Sequence, residues 1–153
     1  METVDRLHFV PVLYPVANAF AGTINTDIVE CNGEGILFIV TKGVGTTGTT
    51  TLTIQACDNV TPSNTTAVAF MYRISTTPDT WGAWTQATAT GFTTTAGSNQ
   101  MYQLYVPAGE LGSEGYEYAR VHGVEVVASA CVGSIIAAVV NTRYQAQPYS
   151  LID

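Results

Sequence analysis

Alternation of polar and apolar residues marks residues 49–57 as a β-strand. The polar residues recur at every second position, as the two-residue repeat of a pleated strand requires. The polar set is Thr49, Thr51, Thr53 and Gln55, and the apolar set is Leu52, Ile54 and Ala56. The two sets are therefore expected on opposite faces of a sheet.

Eight further segments have the Val, Ile, Thr, Tyr and Phe content of strands, and clusters of Gly, Pro, Asn and Ser separate them. They span residues 7–13, 26–31, 35–41, 67–75, 91–95, 100–106, 116–129 and 132–141, with a candidate break at Gly123 in the seventh. Residues 107–111 are the one candidate helical turn, because Pro107 suits an early helical position. This spacing predicts a single all-β domain over residues 1–153, an antiparallel β-sandwich or jelly roll of about eight strands.

Two segments, 36–40 and 132–140, are apolar on both faces. Such runs are typical of central strands that are covered on two sides, and they are far shorter than the roughly 20 residues of a membrane-spanning helix. The ends of the chain contain prolines among apolar residues. They are expected to be irregular, as an N-terminal arm over residues 1–22 and a C-terminal tail over residues 144–153.

Composition adds a surface argument. Hydrophobic residues make up 46% of the chain and charged residues only 11%, with a mean hydropathy of +0.21, whereas an average soluble domain is about 25% charged. The shortage of charge predicts apolar surface that other subunits cover.

The net charge of −7 comes with only five basic residues, and these are scattered along the sequence. Nucleic-acid binding needs Lys and Arg to neutralise phosphates. We therefore expect neither nucleic acid nor an anionic membrane as a partner.

Three cysteines, Cys31, Cys57 and Cys131, lie far apart in apolar or strand-like runs. An odd number does not suit a disulfide framework, and the acidic residues near Met1 do not suit a secretion signal. We expect reduced thiols that act as small core residues, in a protein made in a cytoplasm.

The sequence contains no motif for catalysis, cofactor binding or metal binding. His8 and His122 lie in separate strands without partners at ligand spacing. The glutamates fall mostly in turns and on polar strand faces, and an oxygen-rich loop around Asp58 has too few acids for calcium. We expect no enzyme activity, no cofactor and no metal.

Trp81 and Trp84 form the one aromatic pair that suggests a ligand. Their spacing would allow both indoles to stack on a sugar ring, with Tyr72 and Tyr102 as candidate neighbours. The simpler alternative is that they close the end of the core or fill a subunit interface.

Four stretches of the chain carry a resemblance to a known family. Residues 26–45 hold an acidic turn and an apolar strand, and residues 49–75 hold a strand, a polar turn and an apolar-aromatic strand. Residues 93–129 hold a strand, an extended Pro-Ala turn and a Tyr-x-Tyr-x-Arg strand, and residues 133–148 hold a closing strand with an Arg-Tyr exit. In this order the segments resemble the head decoration (capsid cement) proteins of tailed bacteriophages.

The resemblance implies a non-enzymatic virion structural protein on the outer capsid surface. Such a protein stabilises the capsid by binding across neighbouring subunits of the major capsid protein, in many cases as a homotrimer. An acidic surface suits outward exposure, since it discourages sticking to nucleic acid.

Candidate interface residues are the apolar anchors of the arm and the aromatic and basic side chains of later segments, because Tyr, Trp and Arg are favoured anchors. They are Phe9, Leu13, Tyr14, Phe20, Trp81, Trp84, Arg143, Tyr144 and Tyr149. Two alternatives stay open at this point: a phage tail, neck or spike-base component of similar fold, and a glycan-binding β-sandwich that uses Trp81 and Trp84.

Overall fold

The computed structural model describes residues 7–141. Strands with alternating side chains form two antiparallel sheets in this range. Twelve strands and one short helix are present in that range, and eight of the strands have four residues or more. The strands are β1 (Leu7–Val16), β2 (Thr23–Asn25), β3 (Val29–Glu30), β4 (Gly35–Lys42), β5 (Thr49–Cys57), β6 (Thr65–Val68), β7 (Phe70–Ser75), β8 (Thr85–Ala87), β9 (Phe92–Thr93), β10 (Gln100–Pro107), β11 (Tyr118–Val127) and β12 (Gly133–Val140). The helix α1 (Ala108–Ser113) begins one residue after the start of the predicted helical turn.

Sheet A contains six strands in the order β1-β12-β4-β10-β7-β8. Sheet B has the order β2-β11-β5-β6, with β3 beside β11 and β9 beside β5. Every described pairing is antiparallel. The two sheets pack on each other, so the predicted β-sandwich is confirmed.

The core lies between the sheets and takes the inward side chains of both. Ile36, Phe38 and Val40 of β4 face Leu52 and Ile54 of β5, and all five are fully buried. Burying a large apolar side chain contributes roughly 1.5–3 kcal/mol before conformational entropy is counted. The alternation of 49–57 is reproduced, because β5 buries its apolar set and leaves Thr51, Thr53 and Gln55 half-exposed.

Three predicted strands differ from the observed ones. Within the segment 26–31 only β3 is a strand, because Thr26 turns inward and its hydroxyl accepts the Val121 N–H, and β2 ends just before the segment. The segment 67–75 splits between β6 and β7, which belong to different sheets. The candidate break at Gly123 is absent, since β11 runs through it, and a side chain there would meet Ile24 Cγ1 at 2.8 Å.

Most of the described part of the N-terminal arm is a strand, β1, and the residues 17–22 that follow it form turns and bends. β1 pairs with β12 along its whole length, and two register shifts interrupt the pairing between Pro11 and Val16. Pro11 and Pro15 are tolerated because β1 is an edge strand, where a missing N–H costs no ladder bond. Residues 142–153, which include the C-terminal tail, lie outside the described residues.

Candidate protein-binding face

The side of sheet A that faces away from the core is apolar across most of its width. Strand register places Phe9, Ala138, Leu37, Tyr105 and Met71 in one row that crosses five strands. None of these side chains belongs to the core between the sheets. The first row therefore offers an apolar stripe to whatever lies outside the domain.

A second row runs parallel to the first. It contains Pro11, Ile136, Ile39, Gln103 and Arg73 in register order. We call these two rows together the outer face of sheet A. Arg73 is the one charged side chain in the two rows, and it lies toward the β8 edge of the sheet.

Two strands explain why this face is apolar. β4 and β12 are the two segments whose sequences are apolar on both sides, and such strands are expected to be covered twice. In the folded domain sheet B covers only one side of them. On the other side Phe9 is 56% exposed and Ile136 is 37% exposed. The sequence predicts a cover on this side too, and no segment within residues 7–141 supplies it.

The outward side of sheet B has a different chemistry. Its central strand β5 presents Thr51, Thr53 and Gln55, which lie opposite Val124, His122 and Arg120 of β11. Several of these groups satisfy one another: Arg120 Nε donates to Gln55 Oε1 at 2.9 Å, and His122 Nδ1 lies 2.8 Å from Asn25 Oδ1. The sandwich therefore has one apolar outer side and one mainly polar outer side.

Arg73 is held in place by three neighbours. Its guanidinium carbon lies 4.7 Å from the ring centroid of Trp81 and 4.7 Å from that of Trp84. Its Nε donates to Gln103 Oε1 at 2.7 Å. β8 pairs antiparallel with β7, and the last pair is Thr85 opposite Tyr72. Continuing that register places Trp84 alongside Arg73.

A turn brings Trp81 back over the same sheet face. Thr77 and Thr80 form an isolated bridge, and the Gly82 N–H donates to Ile74 O at 2.9 Å. Cation–π contact with an indole is worth about 0.5–1 kcal/mol at an exposed site. We call Arg73, Trp81 and Trp84 the Arg–Trp cluster.

An open groove of about 520 Å³ adjoins the cluster between the β7–β8 connection and the start of β10. Trp81 and Met101 supply apolar walls, and Thr41, Ser75 and Asp79 supply polar ones. The groove shares the Trp81 side chain with the cluster, whereas Arg73 itself does not line it.

Unlike Arg73, the basic residue Lys42 is buried and is only 4% exposed. Its Nζ donates to Gly48 O and Thr95 O, both at 2.7 Å. Burial lowers the pKa of Lys42 below its ordinary value, and the nearby Cys131 partly counteracts the shift. The ammonium thus gives two of its three N–H groups to backbone carbonyls and joins two loops, so its role is structural.

The described residues offer no metal site. No group of three or more His, Cys, Asp or Glu side chains comes together within residues 7–141. Within the same range, no helix is both long enough and apolar enough to cross a bilayer. The loop at Asp58 turns its carboxylate to local N–H groups: Oδ1 accepts from Ser63 N at 3.1 Å and Oδ2 accepts from Asn64 N at 3.2 Å.

Some predicted interface residues are at the surface. Phe9 lies on the outer face of sheet A, and Tyr14, at 68% exposure, lies near the end of β1. Trp81 is half-buried and Trp84 is 42% exposed. Full burial of both indoles would have eliminated the glycan-binding alternative, so that alternative stays a prediction, although Arg73 occupies one face of each ring.

Other predicted interface residues are internal or lie outside the described range. Phe20 belongs to the core cluster, and a side chain on Gly133 would clash with its ring, so Phe20 stabilises the domain itself. Leu13 is partly buried and packs against the same cluster. Phe20 is therefore not free to anchor a partner, and the interface role of Leu13 stays a prediction. Arg143, Tyr144 and Tyr149 lie outside the described residues.

Sequence reasoning missed Arg73, Leu37, Ile39 and Ile136 as surface residues. The signal for the three apolar residues was present, because both-sided apolarity in β4 and β12 requires two covers. The position of Arg73 could have been predicted by pairing the strand that ends at Ser75 with the residues after Gly82 as a hairpin, because that pairing places Trp84 beside Arg73.

Tyr72 and Tyr102, the other aromatics named near the Trp pair, belong to the interior. Tyr102 is fully buried, and Tyr72 stacks on Phe92 with ring centroids 4.1 Å apart. The Tyr102 hydroxyl donates to Gln100 Oε1 at 2.6 Å. Neither ring joins an aromatic platform with the indoles.

Comparison with known proteins finds a solved structure of low similarity to this chain. The crystal structure of the SPBc2 prophage-derived protein YomS matches 86% of this chain and 92% of its own chain, with 12% sequence identity and a TM-score of 0.44. That neighbour is thus a phage-derived protein. No protein-family model matches the sequence, and no curated protein matches it.

Proposed function

We propose that this protein is a non-enzymatic virion structural protein that decorates and stabilises a bacteriophage capsid. It binds across neighbouring coat subunits through the outer face of sheet A, as a homotrimer on the outer capsid surface. The observation that carries the proposal is the apolar outer face itself, on a chain that has too little charge to keep such a face in water.

Burial of the outer face supplies the driving force for docking. Removing apolar surface from water is worth about 25 cal/mol per Å², and part of that gain is offset by the loss of translational and rotational freedom. A subunit that contacts two coat subunits, and that is joined to two further copies, adds avidity without needing strong individual contacts.

The mainly polar side of sheet B suits the solvent side of a decorated shell. Thr51, Thr53 and Gln55 keep it hydrated without charge, and the net charge of −7 discourages adhesion to nucleic acid. The two-sided chemistry gives the subunit a preferred orientation on the shell, with the apolar side inward.

The experiment is reconstitution of decorated shells from purified parts. Bare expanded shells are mixed with wild-type protein or with Phe9→Ser, and bound protein is measured by co-sedimentation. Wild type is expected to bind and to raise the temperature of shell disruption, because a ligand that binds the assembled state stabilises it.

Phe9→Ser is expected to bind at least about tenfold more weakly, since it removes an exposed aromatic anchor. The matched control is Val124→Thr on the outward side of sheet B, which is 45% exposed and should leave binding unchanged. Equal heat resistance of bare and decorated shells would contradict the proposal. Light scattering should show a mass near three times 16.2 kDa.

A further inference from the structure

We propose that the Arg–Trp cluster is a receptor for one carboxylate side chain of a partner protein, an aspartate or glutamate that docks at the β7–β8 edge of sheet A. The inference rests on the proposed function in that the partner is taken to be the coat subunit. The chemistry of the site itself is independent of that identity.

The guanidinium is positioned in advance for an anion. The two indoles and Gln103 fix its plane, and only Nε is used for a hydrogen bond among the described residues. No carboxylate within residues 7–141 forms an ion pair with it, and Asp79, the nearest acid along the chain, instead lines the groove beyond Trp81. The two terminal amino groups of Arg73 therefore remain for a bidentate carboxylate.

Within residues 7–141 this arrangement is specific to Arg73. Arg120 on sheet B has the same cross-strand bond from Nε to a glutamine oxygen, but the described residues place no indole over it. Lys42 is buried and donates to two carbonyls. Among the basic residues that the structure describes, Arg73 is the one held against aromatic rings at a surface.

The surroundings favour a protein carboxylate over a sugar acid or a phosphate. Gln103 lies directly beside Arg73 in the same row, and Ile39 and Ile136 follow two and three strands away; these apolar side chains cannot bond the hydroxyls of a sugar. A polyanion such as nucleic acid is disfavoured by the net charge of −7. An acidic side chain flanked by apolar ones matches a lone guanidinium at the rim of an apolar face.

The first test uses a short peptide as the probe and does not involve shells. Acetyl-Leu-Glu-Leu-amide and acetyl-Leu-Gln-Leu-amide are titrated into the protein, and the indole N–H signals of the two tryptophans are followed by NMR. The Glu peptide is expected to shift both signals saturably and to bind roughly tenfold or more tightly than the Gln peptide, since only the former offers a charge-assisted bond.

Two variants make the test specific. Arg73→Gln should abolish the preference for Glu over Gln, whereas Arg120→Gln, the matched control, should leave it intact. Arg73→Lys should keep part of it, because an ammonium retains charge but loses the planar fork. Equal binding of the two peptides to wild type, or indole shifts by methyl galactoside without shifts by the Glu peptide, would overturn the inference.

The second test applies the same variants to bare shells. Arg73→Gln is expected to weaken shell binding at least roughly tenfold and to reduce its dependence on salt. Unchanged shell binding by Arg73→Gln overturns the inference and leaves the proposed function standing. Failure of every variant to bind shells, with the peptide preference intact, overturns the proposed function alone.

Discussion

At the scale of single residues, buried polar groups determine how the ends of the sandwich are closed. Lys42 continues the inward row of β4, where Ile36, Phe38 and Val40 precede it, and its aliphatic stem extends that row. Its ammonium then bonds the carbonyls of Gly48 and Thr95, which belong to two different loops. A single side chain thereby replaces the water that these two carbonyls would otherwise need.

Lys42→Met is expected to destabilise the domain by about 1–3 kcal/mol. Methionine keeps most of the apolar stem but leaves two carbonyl groups without a donor. Denaturant unfolding measures the change in free energy. Arg120→Met is the control, since its side chain is half-exposed on sheet B, and a similar loss in both variants would contradict the role given to the ammonium.

The Cys57 thiol should make stability fall at alkaline pH. Burial raises its pKa from 9.0 to about 11, with Arg120 opposing and Asp58 reinforcing the shift. The folded state therefore holds the proton more tightly than the unfolded state. The stabilisation is complete below pH 9 and is lost as pH rises toward 11, by about 2–3 kcal/mol at 1.4 kcal/mol per pKa unit.

Cys57→Ala tests this dependence. The variant loses some packing at every pH, but the fall in unfolding free energy between pH 8 and pH 11 should be about 2–3 kcal/mol smaller than in wild type. Parallel pH profiles for the two proteins would contradict the assignment. Reducing agent is kept in both series, so that the Cys57 thiol stays reduced.

At the scale of elements, glycines decide where strands can approach one another. Gly91 precedes β9 with a φ of +76°, and a side chain there would meet Leu52 O at closer than van der Waals distance. This close approach lets β9 pair with β5, as Phe92 opposite Leu52. Gly109 in α1 has a different role, because an added Cβ would meet nothing within 4 Å.

Gly91→Ala and Gly109→Ala should therefore differ in sign. The first is expected to destabilise by about 2 kcal/mol or more, since it combines a left-handed backbone with a clash against backbone atoms. The second is expected to be neutral or to stabilise by up to about 1 kcal/mol, because alanine favours helix and restricts the unfolded chain. Thermal and urea unfolding of both variants measure this, and equal effects would refute the packing argument.

At the scale of the whole molecule, the difference between the two outer sides of the sandwich sets how the subunit can associate. The outer face of sheet A carries one charge across two rows, and the outward side of sheet B is mainly polar. An isolated subunit gains nothing from an exposed Phe9 and Ile136. We therefore expect a partner to cover these residues.

Ile136→Asp should separate association from folding. The side chain is 37% exposed in the subunit, so the free energy of unfolding is expected to change by less than about 1 kcal/mol. A charge buried without a partner at an interface is costly, so the proposed shell binding should weaken by at least about tenfold. Co-sedimentation with bare shells measures this, and unchanged binding would place the interface elsewhere.

Local patterns predicted much of the fold. The strand 49–57 matches β5 residue for residue, and the helical turn at 107–111 overlaps α1, because the two-residue repeat and the special backbone of proline act within a few residues. β8 was missed because its three residues are too few to show alternation. The N-terminal arm was predicted to be irregular from its prolines, and only pairing with β12 shows that an edge strand tolerates them.

The sequence by itself determined that this is an all-β chain with too much apolar surface for its charge, and that β4 and β12 need covers on both sides. These properties follow from side-chain type and repeat, which any fold of the chain must satisfy. Only the tertiary structure decided that the outer face of sheet A is left without a cover within residues 7–141, and that Arg73 lies against Trp81 and Trp84. Strand order and register are set by packing between segments far apart in the chain, and no local pattern contains that information.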